Sequence, residues 1–257
     1  MSCPAELRAI VAGREAARVL AAGRPARVIA RFARSAYVAN SRGLACLGDA
    51  GLGRGPLNAS LAPGSRLPAL DEEVRVVLRG AERWRPAVPP RPVQARLRRA
   101  LGSLEAVKGR GLFASRRTDP GVNALHCWLA LGATGRAPRP VAALIGQGAG
   151  LTPAGDDLVG GALVALRAAR RHALAARLAS WALARARGRT NRISRAHLAC
   201  AARGDGGEAL HAFVAALLAG GRGLARELAA LDAIGHTSGW DAAAGACLAL
   251  DIAAGSG

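Results

Sequence analysis

The sequence predicts an α+β chain, with a small β-containing N-terminal part followed by a larger, mainly helical C-terminal domain. Three observations carry that expectation. Short apolar runs of strand length lie between residues 27 and 78, a proline-dense stretch runs from Arg85 to Pro92, and segments of helical length joined by short glycine-rich turns fill the remainder. At 257 residues the chain can bury a full-sized core as one large or two small domains.

From Pro4 to Ala22 the spacing of Leu7, Ile10, Val11, Ala17, Val19 and Leu20 predicts an amphipathic helix, ended near Gly23 and Pro25. The period then shortens. Arg27 to Phe32, Ser35 to Val38, Leu44 to Leu47 and Glu73 to Leu78 read as strands. Between them, GDAGLGRGPLNAS (Gly48 to Ser60) reads as a β-turn; its glycines would also suit a phosphate-cradling nest, but no helix pattern follows. Arg54 and Asn58 are secondary site candidates on that turn. Pro86, Pro89, Pro90 and Pro92 suit neither a helix nor a central strand, which sets a β-containing domain over 1–85 and a helical domain over 93–257. Helices are expected near 93–107, 121–133, 153–172, 174–187, 191–203, 207–219, 222–233 and 239–254.

Composition narrows the function classes. The formal charge of +19 would suit a polyanion, but Lys108 is the only lysine, and the arginines stand in an Ala- and Gly-rich chain that resembles a base-composition bias. Aromatic residues make up only 3%, too few for base stacking, so a small anionic substrate is expected rather than nucleic acid. The five cysteines, Cys3, Cys46, Cys127, Cys200 and Cys247, are scattered without C-x-x-C spacing, which argues against a disulfide framework or a zinc site. The apolar run from Leu158 is broken by Arg167 and is too short to span a bilayer. MSCPAELRAI carries an early acidic residue and no long apolar stretch, so no secretion signal or membrane association is expected and the location is read as cytoplasmic.

The chemistry is expected in IGQGAGLTPAGDDLVGGALVALRAAR, from Ile145 to Arg170. Gly146, Gly148 and Gly150 accept positive φ and leave N–H groups uncovered, Thr152 suits an N-cap, and Pro153 suits the first helical position. The helix that follows is apolar or small on every side, hence buried, yet opens with Asp156 and Asp157. Buried carboxylates require a cation, a donor cluster or a metal. The last helix repeats this grammar: Gly150-x-Thr152-x-x-x-Asp156-x-x-x-Gly160 is matched by Gly235-x-Thr237-x-x-x-Asp241-x-x-x-Gly245. We therefore expect the two helices to pack with their N-termini close together, presenting free N–H groups and partial positive charge to one anion site.

On this reading Gly148, Gly150, Thr152, Thr237 and Ser238 bind the anion. Asp156, Asp157 and Asp241 position a cation or a substrate amide, and Asp156 with Asp157 would be the ligands of a Mg²⁺ ion. His236 lies directly before the second helix start, where it would polarise the substrate or transfer a proton. A competing reading makes these residues plain helix caps, since Ser238 and Asp241 are spaced as an acidic variant of the capping box. His126, His172, His197 and His211 lack metal-ligand spacing, and no G-x-S-x-G elbow is present. Thr190 and Ser194 share one helix face in TNRISRAHL.

GQGAGLTPAGDDLVGG and IGHTSGWD together resemble the paired signatures of a bacterial family whose members include the AllH subunit of oxamate carbamoyltransferase, from anaerobic allantoin breakdown. The likeness extends through TNRISRAHLACAARGDGG and more loosely to GLGRGP. The resemblance implies carbamoyl transfer between carbamoyl phosphate and the amide nitrogen of oxamate, within a complex of several different subunits. Two alternatives stay open: a non-catalytic assembly subunit of such a complex, and an independent Mg²⁺-dependent hydrolase or phosphoryl-transfer enzyme.

Overall fold

The first described element is a strand, not the expected helix. In the computed structural model, which describes residues 5–255, β1 spans Ala5–Gly13, and helix α1 is confined to Arg14–Val19. Pro4 and Cys3 lie outside the described residues. Along the start of β1, Glu6 and Arg8 face solvent while Leu7 and Ala9 are buried, a period of two that the surrounding alanines conceal because alanine suits either period.

Six further strands follow: β2 (Ala26–Arg31), β3 (Ser35–Asn40), β4 (Gly43–Gly48), β5 (Asn58–Leu61), β6 (Glu73–Val77) and β7 (Glu82–Trp84). The sheet runs β5-β4-β3-β2-β6-β1, and β1 then pairs antiparallel with β5 through Ala9 to Ala12, closing a six-stranded barrel-like sheet. β7 extends the side of β1 already used by β6, pairing in parallel at Val11 to Gly13. Small residues fill the narrow interior, among them Ala9, Ala12, Ala36, Ala45 and Ala59, beside Val28, Val38 and Val74. The Gly48–Ser60 stretch ends in β5, which the turn reading did not anticipate. Its turn is structural: the Pro56 carbonyl accepts from Glu15 N–H and Ala16 N–H, each at 2.9 Å, and so caps α1. Arg54 pairs with Glu82 at 3.1 Å, and Asn58 Nδ2 donates to the Gly53 carbonyl at 3.1 Å.

The chain divides into two compact units after Pro86. The second is helical: α2 (Gln94–Ser103), α3 (Gly111–Ala114), α4 (Pro120–Ala130), α5 (Arg139–Leu144), α6 (Ala154–Ala168), α7 (His172–Ala186), α8 (Arg192–Ala202), α9 (Glu208–Leu218), α10 (Leu224–Asp232) and α11 (Ser238–Gly255). All eight expected helices are present, while α3 and α5 are additional and too short to show a helical period. Among the described residues no helix is long and apolar enough to cross a membrane.

Helices α6 and α11 form the centre of this unit and share its most extensive contact. Both are buried on nearly every side. Their approach depends on two glycines: a Cβ on Gly161 would stand 1.9 Å from the Ala242 carbonyl oxygen, and one on Gly245 would stand 1.8 Å from that of Leu158. Gly160, which the repeat as read from the sequence aligns with Gly245, has only the Ala201 methyl near it, at 3.8 Å.

Candidate functional site

The two helix starts meet, as the internal repeat implies. Thr152 Oγ1 and Ser238 Oγ lie 3.1 Å apart, joining the loop before α6 to the first residue of α11. The repeat, however, runs one residue out of the register read from sequence. Gly155, Asp157, Leu158 and Gly161 of α6 correspond to Gly239, Asp241, Ala242 and Gly245 of α11, because the Gly161 and Gly245 contacts then exchange. Gly155 and Gly239 fit the same relation. A Cβ on Gly155 would meet the Leu144 carbonyl at the end of α5 at 1.9 Å, and one on Gly239 would meet the Leu231 carbonyl near the end of α10 at 2.1 Å. Each central helix is thus seated against the helix preceding it through a glycine in its first turn, and the shared pattern is G-x-D-x-x-x-G.

This register separates the two adjacent aspartates. Asp156, 2% exposed, turns away from α11 and braces the glycine loop. Its Oδ1 accepts from Gly146 N–H at 2.9 Å, and its Oδ2 accepts from the Ser194 hydroxyl at 2.6 Å and from the Thr190 hydroxyl. Both oxygens are committed to protein donors, so Asp156 acts as a cross-brace rather than the expected ligand-holding group. Its hydroxyl partners do not share a helix face as read from the sequence: Thr190 lies before α8, and Ser194 lies in its first turn. Asn191 completes this junction by capping α8 and donating to the Leu151 carbonyl at 2.8 Å.

Asp157 and Asp241 face the α6–α11 junction. Burial pushes the Asp157 carboxyl up to about 8; the Ser238 and Thr152 hydroxyls partly offset this, and the neighbouring charges of Asp241 and Asp156 add to it. Asp241, fully buried, is also raised by burial, against the opposing hydrogen bonds from Leu112 N–H and the Thr237 hydroxyl. Its Oδ1 accepts from Leu112 N–H at 2.6 Å, tying α11 to the start of α3. Gly111 is required beside it: its φ of 55° is left-handed, and a Cβ there would stand 2.2 Å from Asp241 Oδ1. The second oxygens, Asp157 Oδ2 and Asp241 Oδ2, are buried with no hydrogen-bond partner among the described residues. A buried oxygen left in this state is costly unless it carries a proton or meets a ligand.

The remaining expected site residues line the approach. Gly148 and Gly150 have φ of 108° and 96° and are exposed in the loop before α6. Pro153 takes the capping position, so α6 starts one residue later than expected and Thr152 does not cap it. The N–H groups of this helix start are less free than expected, since Gly155 N–H donates to the Gln147 carbonyl at 3.0 Å. Thr237 and Ser238 are half-buried at the α11 start, and His236 is exposed just before them. Among the described residues no group of three or more His, Cys, Asp or Glu side chains could hold a metal ion. Both oxygens of Asp156 already accept protein donors, so of the three motif carboxylates Asp157 and Asp241 are the ones that keep a buried oxygen without a partner.

The fold and site thus define a helical domain built on two matched helix starts that enclose a pair of carboxyls, each with a buried oxygen. The stretch that contains both starts, residues 144–250, matches the family model described as oxamate carbamoyltransferase subunit AllH. This is the family that GQGAGLTPAGDDLVGG and IGHTSGWD resemble. No curated protein and no solved structure matches the chain.

Proposed function

We propose that the chain is a subunit of a carbamoyltransferase and that the α6–α11 junction binds carbamoyl phosphate together with a small amide acceptor such as oxamate. The observation that carries this reading is the pair of buried, partnerless carboxyl oxygens on Asp157 and Asp241, within the family-matched stretch. In the reaction the acceptor amide nitrogen attacks the carbamoyl carbon, the carbon–oxygen bond to phosphate breaks, and phosphate departs with the bonding pair. The amide nitrogen gives up its proton. Negative charge develops on the carbamoyl oxygen and the departing phosphate, where preorganised donors help most. Protonated Asp157 is such a donor at neutral pH, and the hydroxyls of Thr152, Thr237 and Ser238 and the backbone at Gly148 and Gly150 supply others. Exposed His236 accepts the amide proton. Other subunits of the complex are the expected partners, with small anions as substrates.

A second reading, a non-catalytic assembly subunit, is favoured by one observation: Asp156, Gly155, Gly161, Gly239 and Gly245, all within or beside the motifs, are engaged in holding helices together. Oxalurate or phosphate formation by the reconstituted complex distinguishes the two. Asp157→Asn and His236→Ala should each reduce turnover at least tenfold while the complex still assembles. Unchanged turnover in both would leave the assembly reading.

A further inference from the structure

Beyond the helix starts, a cavity of the helical unit lies further along α11. It has a volume of about 570 Å³, within the usual range for small-molecule clefts, and an apolar floor that includes Leu104 and Leu248. Its polar lining comes from Arg98 of α2, Glu105 just after it, Arg116 and Arg117 after α3, Asn123 and His126 of α4, and Asp251 of α11. Family-motif residues take no part in it.

Two of its arginines are held by backbone carbonyls and have no carboxylate partner among the described residues. Arg116 donates to the Phe113 carbonyl at 2.7 Å and the Leu104 carbonyl at 2.8 Å, with its guanidinium 4.1 Å over the Phe113 ring. Three of its five N–H donors remain uncommitted. Arg98 donates once, to the Ala254 carbonyl at 3.0 Å. Carbonyl anchors orient a guanidinium but leave its charge uncompensated. The other charges of the lining are compensated locally. Arg117 pairs with Glu105 at 2.8 Å, and His126 Nε2 meets Asp251 Oδ2 at 3.0 Å. An ionised Asp251 requires Nε2 to donate, which directs the His126 ring and leaves Nδ1 for another partner. Asn123 Nδ2 donates to the Arg117 carbonyl at 3.1 Å, which turns its amide oxygen into an available acceptor.

We propose that this cleft is a binding site for a small organic oxyanion, whose carboxylate or phosphate meets Arg98 and Arg116 and whose remaining polar atoms meet Asn123 and His126. The site is separate from the Asp157–Asp241 junction and does not depend on the carbamoyltransferase reading. The test is calorimetric titration of the full chain with inorganic phosphate and, separately, oxalate, at low ionic strength. Saturable binding is expected that persists in the Asp157→Asn chain, in which the junction is altered, and that is weakened at least tenfold in that background by Arg98→Gln and by Arg116→Gln. Tighter phosphate binding identifies a phosphate head group, and tighter oxalate binding a carboxylate. Because Arg116 also braces its own loop, exposed Arg98 and Asn123→Leu decide the matter if Arg116→Gln does not fold. Absence of saturation by either anion, affinity unchanged in Arg98→Gln, or binding abolished only by Asp157→Asn would each overturn the proposal.

Discussion

Asp157 should make the stability of this protein fall as pH rises, in a way that a single substitution removes. Its folded-state carboxyl holds a proton up to about pH 8, whereas the unfolded chain releases that proton near pH ~4. Between those limits the native state binds one more proton than the unfolded state. Raised affinity for the proton therefore stabilises the fold at low pH, and the contribution is lost progressively as pH climbs towards 8. The slope is about 1.4 kcal/mol per pH unit, and the whole window spans on the order of 5 kcal/mol as an upper bound. Asp157→Asn keeps the shape and cannot titrate. Urea denaturation of both proteins at half-unit intervals from about pH 5 to 9 isolates the effect, because other groups titrate in both and drop out of the difference. The variant's stability relative to the parent should rise by about 1.4 kcal/mol per unit up to pH 7.5 and level off beyond 8. Parallel curves would refute the claim that Asp157 is protonated in the folded state.

Further outcomes follow from the packing. Gly161→Ala and Gly245→Ala each drive a methyl into a backbone carbonyl and should cost about 3 kcal/mol or more, whereas Gly160→Ala, whose methyl meets only the Ala201 methyl at ordinary contact distance, should gain up to ~1 kcal/mol from helix propensity; thermal melts of the three separate these directions. Asp156→Ala leaves the Thr190 and Ser194 hydroxyls and Gly146 N–H without their acceptor and should cost about 3 kcal/mol, with faster hydrogen exchange over residues 146–153. His236→Ala should leave the melting temperature within a degree or so, since an exposed side chain contributes little, while lowering carbamoyl transfer in the assembled complex.

The α+β division, the order of the eight long helices and the identity of the two helix starts were legible in the sequence, because their signals are local. A run such as Leu158 to Leu166 is apolar on every side wherever it packs, and a glycine loop before Thr152 and Pro153 breaks the chain before any neighbour is known. The strand at Ala5–Gly13 was not legible. Its Glu6-Leu7-Arg8-Ala9 alternation is brief, and the alanines after it fit a helix as well as a strand. Only closure of the sheet between β5 and β6 decides it.

At the site, sequence alone determined that two carboxylate-bearing helix starts recur and that they belong together. It could not determine their register, because Asp156 and Asp157 are chemically identical and Gly160 and Gly161 are both glycine. Tertiary structure decides between them: the face of α6 that meets α11 carries Asp157 and Gly161, while Asp156 points to Thr190 just before α8 and Ser194 within it. The arginine cleft left no trace in the sequence for the same reason. Arg98, Arg116, His126 and Asp251 come together only when α2, α4 and α11 pack, and their free or compensated charge is a property of three-dimensional neighbours rather than of spacing along the chain.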